Sequence, residues 1–504
     1  MKASLGHLFI SIASFLYCTA TFAQRSVVIV YIDPTVQFQT IEGFGASDAW
    51  SCQFAGLWPE EKRNKMVDLL FSKQTTATGQ PIGIGLNTWR FSIGAGSAAQ
   101  GKASDIGDEW RRQYAFLQSD GTYDWKAMPG QTWFLKAAKI RGVNQFIGFV
   151  NSPHVRFTKN GKAYSTDGNC NLNFDKLAEF SADLVTTIKG IRKTTGITLD
   201  YLSPANEPQW KWNEHNQEGC PYSNTELSIL YSGVNDAFSK NQLDTKIQIG
   251  EAGQLDYLYN NGNAAKGNQV FQFFNAASPN YIGNLSHIDN SISGHSYFTT
   301  SPESKFIDVR KKTAEAVAKV KGLRYWMSEY CILGDAVVKG EKRDLGMAPA
   351  LFIAKLIHHD LVLSNATSWQ WWLAISASDY KDGLVYIDKN KTDGQVYDSK
   401  MLWALGNYSR FVSAGSKRVQ VSLLEEKAQQ IYVSGYLQAK KLVTIVVNPT
   451  DHDIDLQMEI KGGKLKQIQT YVTSTNYNLS PYKQYKDSRQ VLIPAQSVTT
   501  IISK

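Results

Sequence analysis

Two glutamates stand where a chain could perform acid–base chemistry. Glu207 lies in the run Ser203-Pro204-Ala205-Asn206-Glu207-Pro208, and Glu329 in Trp326-Met327-Ser328-Glu329-Tyr330. Each follows a short apolar run and sits among aromatic and polar side chains. A lone acid at a strand end is ordinarily a solvated residue or a cap. A facing pair has a definite use: cleaving a glycosidic bond needs one carboxyl group to protonate the leaving oxygen and another to attack the anomeric carbon or activate water. Arg90, in Trp89-Arg90-Phe91-Ser92, is placed among apolar residues, where a guanidinium needs an anionic partner. Glu329 is the candidate partner, and such a pair would keep that carboxylate ionised; a surface ion pair is the alternative. Tyr297 could donate to Glu329. His295, two residues earlier, shares its strand face, and a structural role fits it as well as a sugar-binding one. Glu251 ends a further run as a third acid, a candidate for substrate binding. Trp369 and Trp371 share one face by period two, and Trp372 takes the other. Trp50, Trp89, Trp210 and Trp212 also lie near strand ends. Indole faces suit the C–H faces of a sugar, although core filling explains any single Trp equally well.

The elements that must position these residues alternate in type. Apolar runs end at Gly43-Phe44-Gly45, Trp89 to Ser92, Phe149 to Asn151, Ser203 to Glu207, Ile249 to Glu251, His295 to Tyr297, Trp326 to Glu329 and Trp369 to Leu373. Helical periodicity falls between them: Leu177, Phe180, Leu184, Val185 and Ile188 recur at 3.6 residues in 174–192, and 308–320 and 347–363 behave alike. Eight strand–helix units predict an α/β fold, a (β/α)8 TIM barrel spanning 41–414, in preference to a doubly wound open sheet. The C-terminal strand ends of a barrel share one mouth, so strands four and seven would set Glu207 against Glu329. Beyond residue 415 the texture becomes VQVSLL, QIYVSGYL, LVTIVVN, DIDLQMEI, QIQTYVT and VTTIIS, with turn signals at Asn448-Pro449-Thr450-Asp451 and Gly462-Gly463. This predicts an all-β sandwich over 415–504. The strand at 27–33 (VVIVYID), within 24–40, could complete a sheet in it.

The constellation resembles glycoside hydrolase family 30, within the clan of barrels that carry catalytic acids on strands four and seven. Asn206-Glu207-Pro208 matches the clan's acid/base motif, Glu329 its nucleophile, and Ile41-Glu42-Gly43-Phe44-Gly45-Ala46-Ser47-Asp48 the family's first strand. The resemblance implies that Glu207 is the proton donor, that Glu329 attacks, that Asp48 binds sugar hydroxyls and that Asn206 bonds the sugar 2-hydroxyl; a turn-forming Asn before Pro is the structural alternative for Asn206. The text of Gly85 to Gly96 (GLNTWRFSIGAG), Asn151-Ser152-Pro153 and Glu207-Pro208-Gln209-Trp210 is most similar to the endo-β-1,6-galactanase branch, which adds Asn151 to the candidate substrate ligands. The implied activity is retaining hydrolysis of a β-1,6-linked galactan, such as arabinogalactan side chains, with no metal or cofactor. The same chemistry on β-1,6-glucan or xylan is the nearest rival. A non-catalytic carbohydrate-binding protein on an inactive barrel is the rival of another class, which the two opposed carboxylates disfavour.

Composition bounds the rest. The chain has 504 residues, 43% hydrophobic and 12% aromatic, which excludes a disordered protein. Its 53 basic and 45 acidic residues give a net charge of +8 without a Lys/Arg block, so nucleic acid is not an expected partner. Lys2, the apolar run Leu8 to Tyr17 and Thr21-Phe22-Ala23 predict a secretory signal over 1–23, cleaved near Ala23. The expected location is therefore periplasmic or extracellular. Tyr17 fits lipid attachment at Cys18 badly. No further apolar stretch is long enough to span a bilayer, and a monomer is expected. Four cysteines remain without a C-x-x-C pair. Cys170 and Cys220 lie in loops expected to rise on one side of the barrel and are predicted to form a disulfide, leaving Cys52 and Cys331 as thiols. No dinucleotide, Walker, H-E-x-x-H or G-x-S-x-G motif occurs, and His358-His359 lacks metal-ligand spacing.

Overall fold

The computed structural model of the protein describes residues 26–503, apart from 335–336, 425–430, 464 and 487–488. The expected signal segment, with Cys18, lies outside the described residues. The chain opens with strand β1 (Ser26–Thr40) and then builds eight parallel strands: β2 (Gly43–Ser47), β3 (Thr88–Ser92), β4 (Gln145–Phe149), β5 (Tyr201–Ser203), β6 (Lys246–Ala252), β7 (Ile288–Gly294), β8 (Arg324–Met327) and β9 (Ser368–Ser376). Their order follows the sequence, and pairing of β9 with both β2 and β8 closes the barrel. Strands covered on both faces can be apolar throughout: every residue of β9, SWQWWLAIS, is buried.

Alternation along β3 shows how the barrel aims a side chain inward. Trp89 packs at 5.0 Å from Phe71 and 6.2 Å from Phe134, both in surrounding helices. Its neighbour Arg90 is thereby turned to the barrel interior. The helices begin and end on local signals. Asn224–Lys240, for example, starts with a capping box in which the Ser223 hydroxyl accepts from the Glu226 amide at 3.2 Å while the Ser223 amide donates to the Glu226 carboxylate at 2.7 Å.

The upper half of β9 outgrows the barrel and pairs with β10 (Gly383–Ile387), which turns back as β11 (Val396–Asp398). The remaining strands are β12 (Lys417–Leu423), β13 (Tyr432–Gln438), β14 (Lys441–Asn448), β15 (Ile454–Ile460), β16 (Ile468–Ser474), β17 (Tyr477–Tyr485), β18 (Gln490–Ile493) and β19 (Ser497–Ser503). They form one nine-stranded sheet into which β1 inserts between β12 and β15. Ile468 and Ile501, toward one edge, share a core with Val491 and Ile493 at the other, so the sheet folds over itself as a sandwich. β1 runs farther than its apolar stretch, because register shifts after Asp33 and Gln37 carry it past Pro34. The helix Lys400–Ser409 clamps sandwich to barrel: Asn407 donates to Thr500 at 2.9 Å and accepts from Thr473 at 2.7 Å. No helix among the described residues is long and apolar enough to cross a membrane.

Candidate active site

Glu207 and Glu329 meet at the C-terminal mouth of the barrel. Glu207 follows β5 with a left-handed backbone (φ +43°) and is fixed by its amide donating to the Glu251 carbonyl at 2.9 Å. Non-glycine residues held in this region are costly and cluster at functional sites. A carboxylate oxygen of Glu207, one of Glu329 and a ring nitrogen of His295 all lie within 4.8 Å of one another. Glu329 accepts from Arg90 Nη1 at 2.9 Å through Oε2 and from the Tyr297 hydroxyl at 3.2 Å through Oε1. Arg90 is buried, and its guanidinium sits 4.4 Å from the Phe149 ring centre. Glu329 is thus one of the partners of this buried guanidinium.

The arrangement behind this pair has more charge than the sequence reading assigned. His295 directs Nδ1 at Glu207 Oε1 (2.9 Å) and Nε2 at Glu251 Oε2 (2.8 Å). The same Glu251 oxygen accepts from Arg90 Nη2 at 3.2 Å and from the Ser328 hydroxyl at 3.1 Å. Burial alone would favour a neutral His295, but the carboxylates of Glu329, Glu207 and Glu251 outweigh it and raise its pKa to about 10. Burial would likewise raise Glu251, yet Arg90 and His295 hold it below the ordinary carboxylate range. For Glu207 burial wins over the His295 contact, and its carboxyl is pushed up. The buried cluster thus sets Arg90 and His295 against Glu251 and Glu329, with Glu207 beside them favouring its proton. Although Glu207, His295 and Glu329 are close enough to surround a cation, His295 already gives its nitrogens to carboxylates and Arg90 already neutralises Glu329. The cluster is therefore complete without a metal.

Above it opens a cleft of about 1180 Å³, lined by Asn206, Glu207, Tyr297 and Glu329 and by the indoles of Trp50, Trp210, Trp212 and Trp372. A smaller cavity of about 390 Å³, lined by Asn87, Gln145 and Tyr201 among others, includes none of these acids in its wall.

The sequence profile described as O-glycosyl hydrolase family 30 matches residues 27–386. The chain belongs to glycoside hydrolase family 30. It is 24% identical over 392 residues to an endo-β-1,6-galactanase of Hypocrea rufa, an alignment covering 74% of this chain and 72% of that enzyme. A crystal structure of a conserved exported protein from Bacteroides fragilis superposes with a TM-score of 0.86 at 32% identity, covering 94% of this chain and all of that one. The catalytic domain of a family 30 xylanase C from Talaromyces cellulolyticus shares the fold, with a TM-score of 0.69 at 19% identity over 94% of this chain and all of that one.

In this family 30 hydrolase the remaining sequence candidates separate. Asn206 is buried at the cleft wall with its carbonyl oxygen unpartnered, as a waiting sugar ligand would be; Asn151 also carries a buried unpartnered oxygen but does not line the cleft. Four candidates are corrected. Asp48 is fully buried and accepts from the Ser92 amide at 2.7 Å, tying the end of β2 to that of β3 and presenting nothing to the cleft. Trp369 and Trp371 are core residues: Trp369 Nε1 donates to Asp360 in the helix Met347–Val362, Trp371 Nε1 to the Asp382 carbonyl. Trp372 reaches the mouth instead, at a register shift where Ala46 pairs Trp371 and Ser47 pairs Leu373. Glu251 is fully buried behind the acids and does not line the cleft. Cys170 and Cys220 are buried free thiols, with no bond between their sulfurs; Cys52 and Cys331 are also buried thiols. Reading by strand end missed the cleft residues that belong to long loops, among them Arg111, whose guanidinium lies 4.6 Å over the Trp50 ring, and Tyr257, Phe298 and Tyr380. Loops carry no periodicity from which such residues could be read.

Proposed function

We propose that this family 30 hydrolase is a secreted, monomeric enzyme that cleaves β-1,6-linked galactan at internal bonds with retention of anomeric configuration. The observation that carries the chemistry is the approach of Glu207 and Glu329 to within 4.8 Å between carboxylate oxygens. Retaining pairs sit about 5–5.5 Å apart, whereas inverting pairs stand about 6.5–9.5 Å apart to admit a water. Glu329, held by Arg90 and Tyr297, attacks the anomeric carbon while Glu207 protonates the departing oxygen. Water then hydrolyses the glycosyl-enzyme with Glu207 as base. Asn206 offers its free amide oxygen to the sugar 2-hydroxyl. Similarity to an endo-β-1,6-galactanase over 74% of the chain supports the substrate, and likeness to an exported protein supports secretion.

The test is product analysis on β-1,6-galactan, β-1,6-glucan and xylan, with the anomer of the first product read by NMR. Galacto-oligosaccharides released as the β-anomer are expected. Glu207→Gln should lose roughly 10²- to 10⁴-fold on the polysaccharide but cleave the first bond of an activated aryl glycoside nearly normally, and Glu329→Gln should be inactive on both. Release of the α-anomer, or wild-type activity in both variants, would overturn the chemistry. Cleavage of xylan or β-1,6-glucan in preference would overturn the substrate alone.

A further inference from the structure

Glu251 is a buried acid that the mechanism above does not use. It lies near the end of β6 in a left-handed conformation (φ +48°), right after Gly250 (φ +98°), at a register shift between Ile249 and Ala252. That backbone kink turns the carboxylate under the reacting pair. Its Oε2 accepts from Arg90, His295 and Ser328 at 3.2, 2.8 and 3.1 Å, while Oε1 has no partner. An oxygen receiving these donors carries no proton, so His295 Nε2 must donate to it. The other ring nitrogen is then left to face Glu207 Oε1, which leaves Oε2 of Glu207 as the oxygen able to present a proton to the cleft.

We infer that Glu251 is a positioning residue that anchors the His295 ring and whose own negative charge, set under the reacting pair, keeps the catalytic proton on Glu207. The geometry makes this a matter of charge. With Glu251 ion-paired to Arg90 and His295, and Glu329 to Arg90, the cluster is neutral only while Glu207 is protonated. Without the Glu251 charge, and with His295 still held as a cation by Glu207 and Glu329, it would be neutral only after Glu207 had lost its proton. The groups facing Glu251 are Arg90 from β3, Glu207 beyond β5, Tyr231 from the helix Asn224–Lys240, His295 beyond β7, and Tyr325 and Glu329 on either side of the end of β8. Of these, Arg90 is a fixed cation, and burial keeps Tyr231 and Tyr325 neutral. The high pKa of His295 and the low one of Glu251 agree with this assignment.

The inference rests on Glu207 being the acid, and the experiment separates the two. The pH dependence of kcat/KM is measured for wild type, Glu251→Gln and Glu251→Asp on β-1,6-galactan, and on an activated aryl glycoside of β-1,6-galactobiose, whose first step needs no acid. In Glu251→Gln the basic limb on galactan should move to lower pH by about one to three units, the size of effect a neighbouring buried charge exerts. Glu251→Asp, which restores the charge, should return it most of the way. The aryl substrate should show no such displacement. A packing role alone would lower kcat in both variants and leave the limb in place. Should Glu251→Gln not fold, ¹⁵N shifts of the His295 ring in wild type serve instead: both nitrogens should remain protonated from pH 5 to pH 8, and a neutral ring at pH 7 would sink the inference. An unmoved limb in Glu251→Gln, with Glu207→Gln still discriminating between the two substrates, would overturn the role of Glu251 alone. Loss of that discrimination would overturn the reading of Glu207 itself.

Discussion

One guanidinium serves two acids at the centre of the site. Arg90 gives Nη1 to Glu329 and Nη2 to Glu251, a division that a planar fork can make and a single ammonium cannot. Asp48 shows the opposite use of a buried carboxyl on the neighbouring strand. No cation lies within ion-pair distance of it among the described residues, and burial pushes its carboxyl up to about 8 against hydrogen bonds from Ser92 and Gln131 that lower it. Such a group favours folding while it is protonated. The stabilisation is complete below its ordinary pKa of 3.8 and is lost as pH rises toward about 8, because the unfolded chain releases the proton first. Asp48→Asn mimics the protonated form and can still accept from the Ser92 amide. Its melting temperature should therefore change less than that of wild type between pH 4 and pH 8, with an advantage at pH 8 on the order of a few kcal/mol. Thermal melts across this range check it, and parallel curves for the two proteins would show that Asp48 does not titrate there.

The strands reveal what a sequence can and cannot announce. Runs such as Trp89-Arg90-Phe91-Ser92 and Trp326-Met327-Ser328-Glu329 mark barrel strand ends because an apolar run meets polar residues there, and their order alone places Glu207 opposite Glu329. Period two also grouped Trp369 with Trp371, and their rings do stack at 6.2 Å. Alternation says which residues share a face without saying which face is inward, and here the mouth belongs to Trp372. The kinks that aim Glu207 and Glu251 were illegible because non-glycine residues adopt positive φ there only under tertiary constraint. The loops after β4 and β5 set the buried Cys170 and Cys220 thiols near enough to shift each other's ionisation. In protein exported through an oxidising compartment, we expect both thiols to pass their hydrogens and two electrons to a protein disulfide and become joined. Non-reduced peptide mapping should then recover the two segments linked. The closed loop of roughly 50 residues would stabilise the fold by about 4 kcal/mol over the reduced form. Recovery of both residues as free thiols from such protein would refute the pairing.

Across the whole molecule, the barrel places aromatic surfaces on both sides of the acids. Trp50 follows β2 and Trp372 lies on β9, adjacent strands, and their rings meet edge to face at 5.3 Å. Trp210 follows β5 and Phe298 follows β7, with ring centres 5.7 Å apart on the opposing wall. The glutamates lie between these walls in a cleft roomy enough for several sugar rings. A pocket closed on one side would admit only a chain end, whereas apolar platforms flanking the scissile bond bind sugars on either side of it and favour internal bonds. Linear β-1,6-galacto-oligosaccharides labelled at the reducing end and incubated briefly with the enzyme should therefore yield fragments of two or more residues before free galactose. Trp50→Ala removes one wall without touching the acids. It should lower kcat/KM for the polymer by roughly tenfold, about 1.4 kcal/mol, as the loss of one aromatic contact predicts. It should also move the preferred cleavage point along the labelled chain, since the sugars would be anchored mainly on the Trp210 side. Galactose as the first product from every chain length, with the cleavage point unmoved in Trp50→Ala, would identify a chain-end enzyme instead.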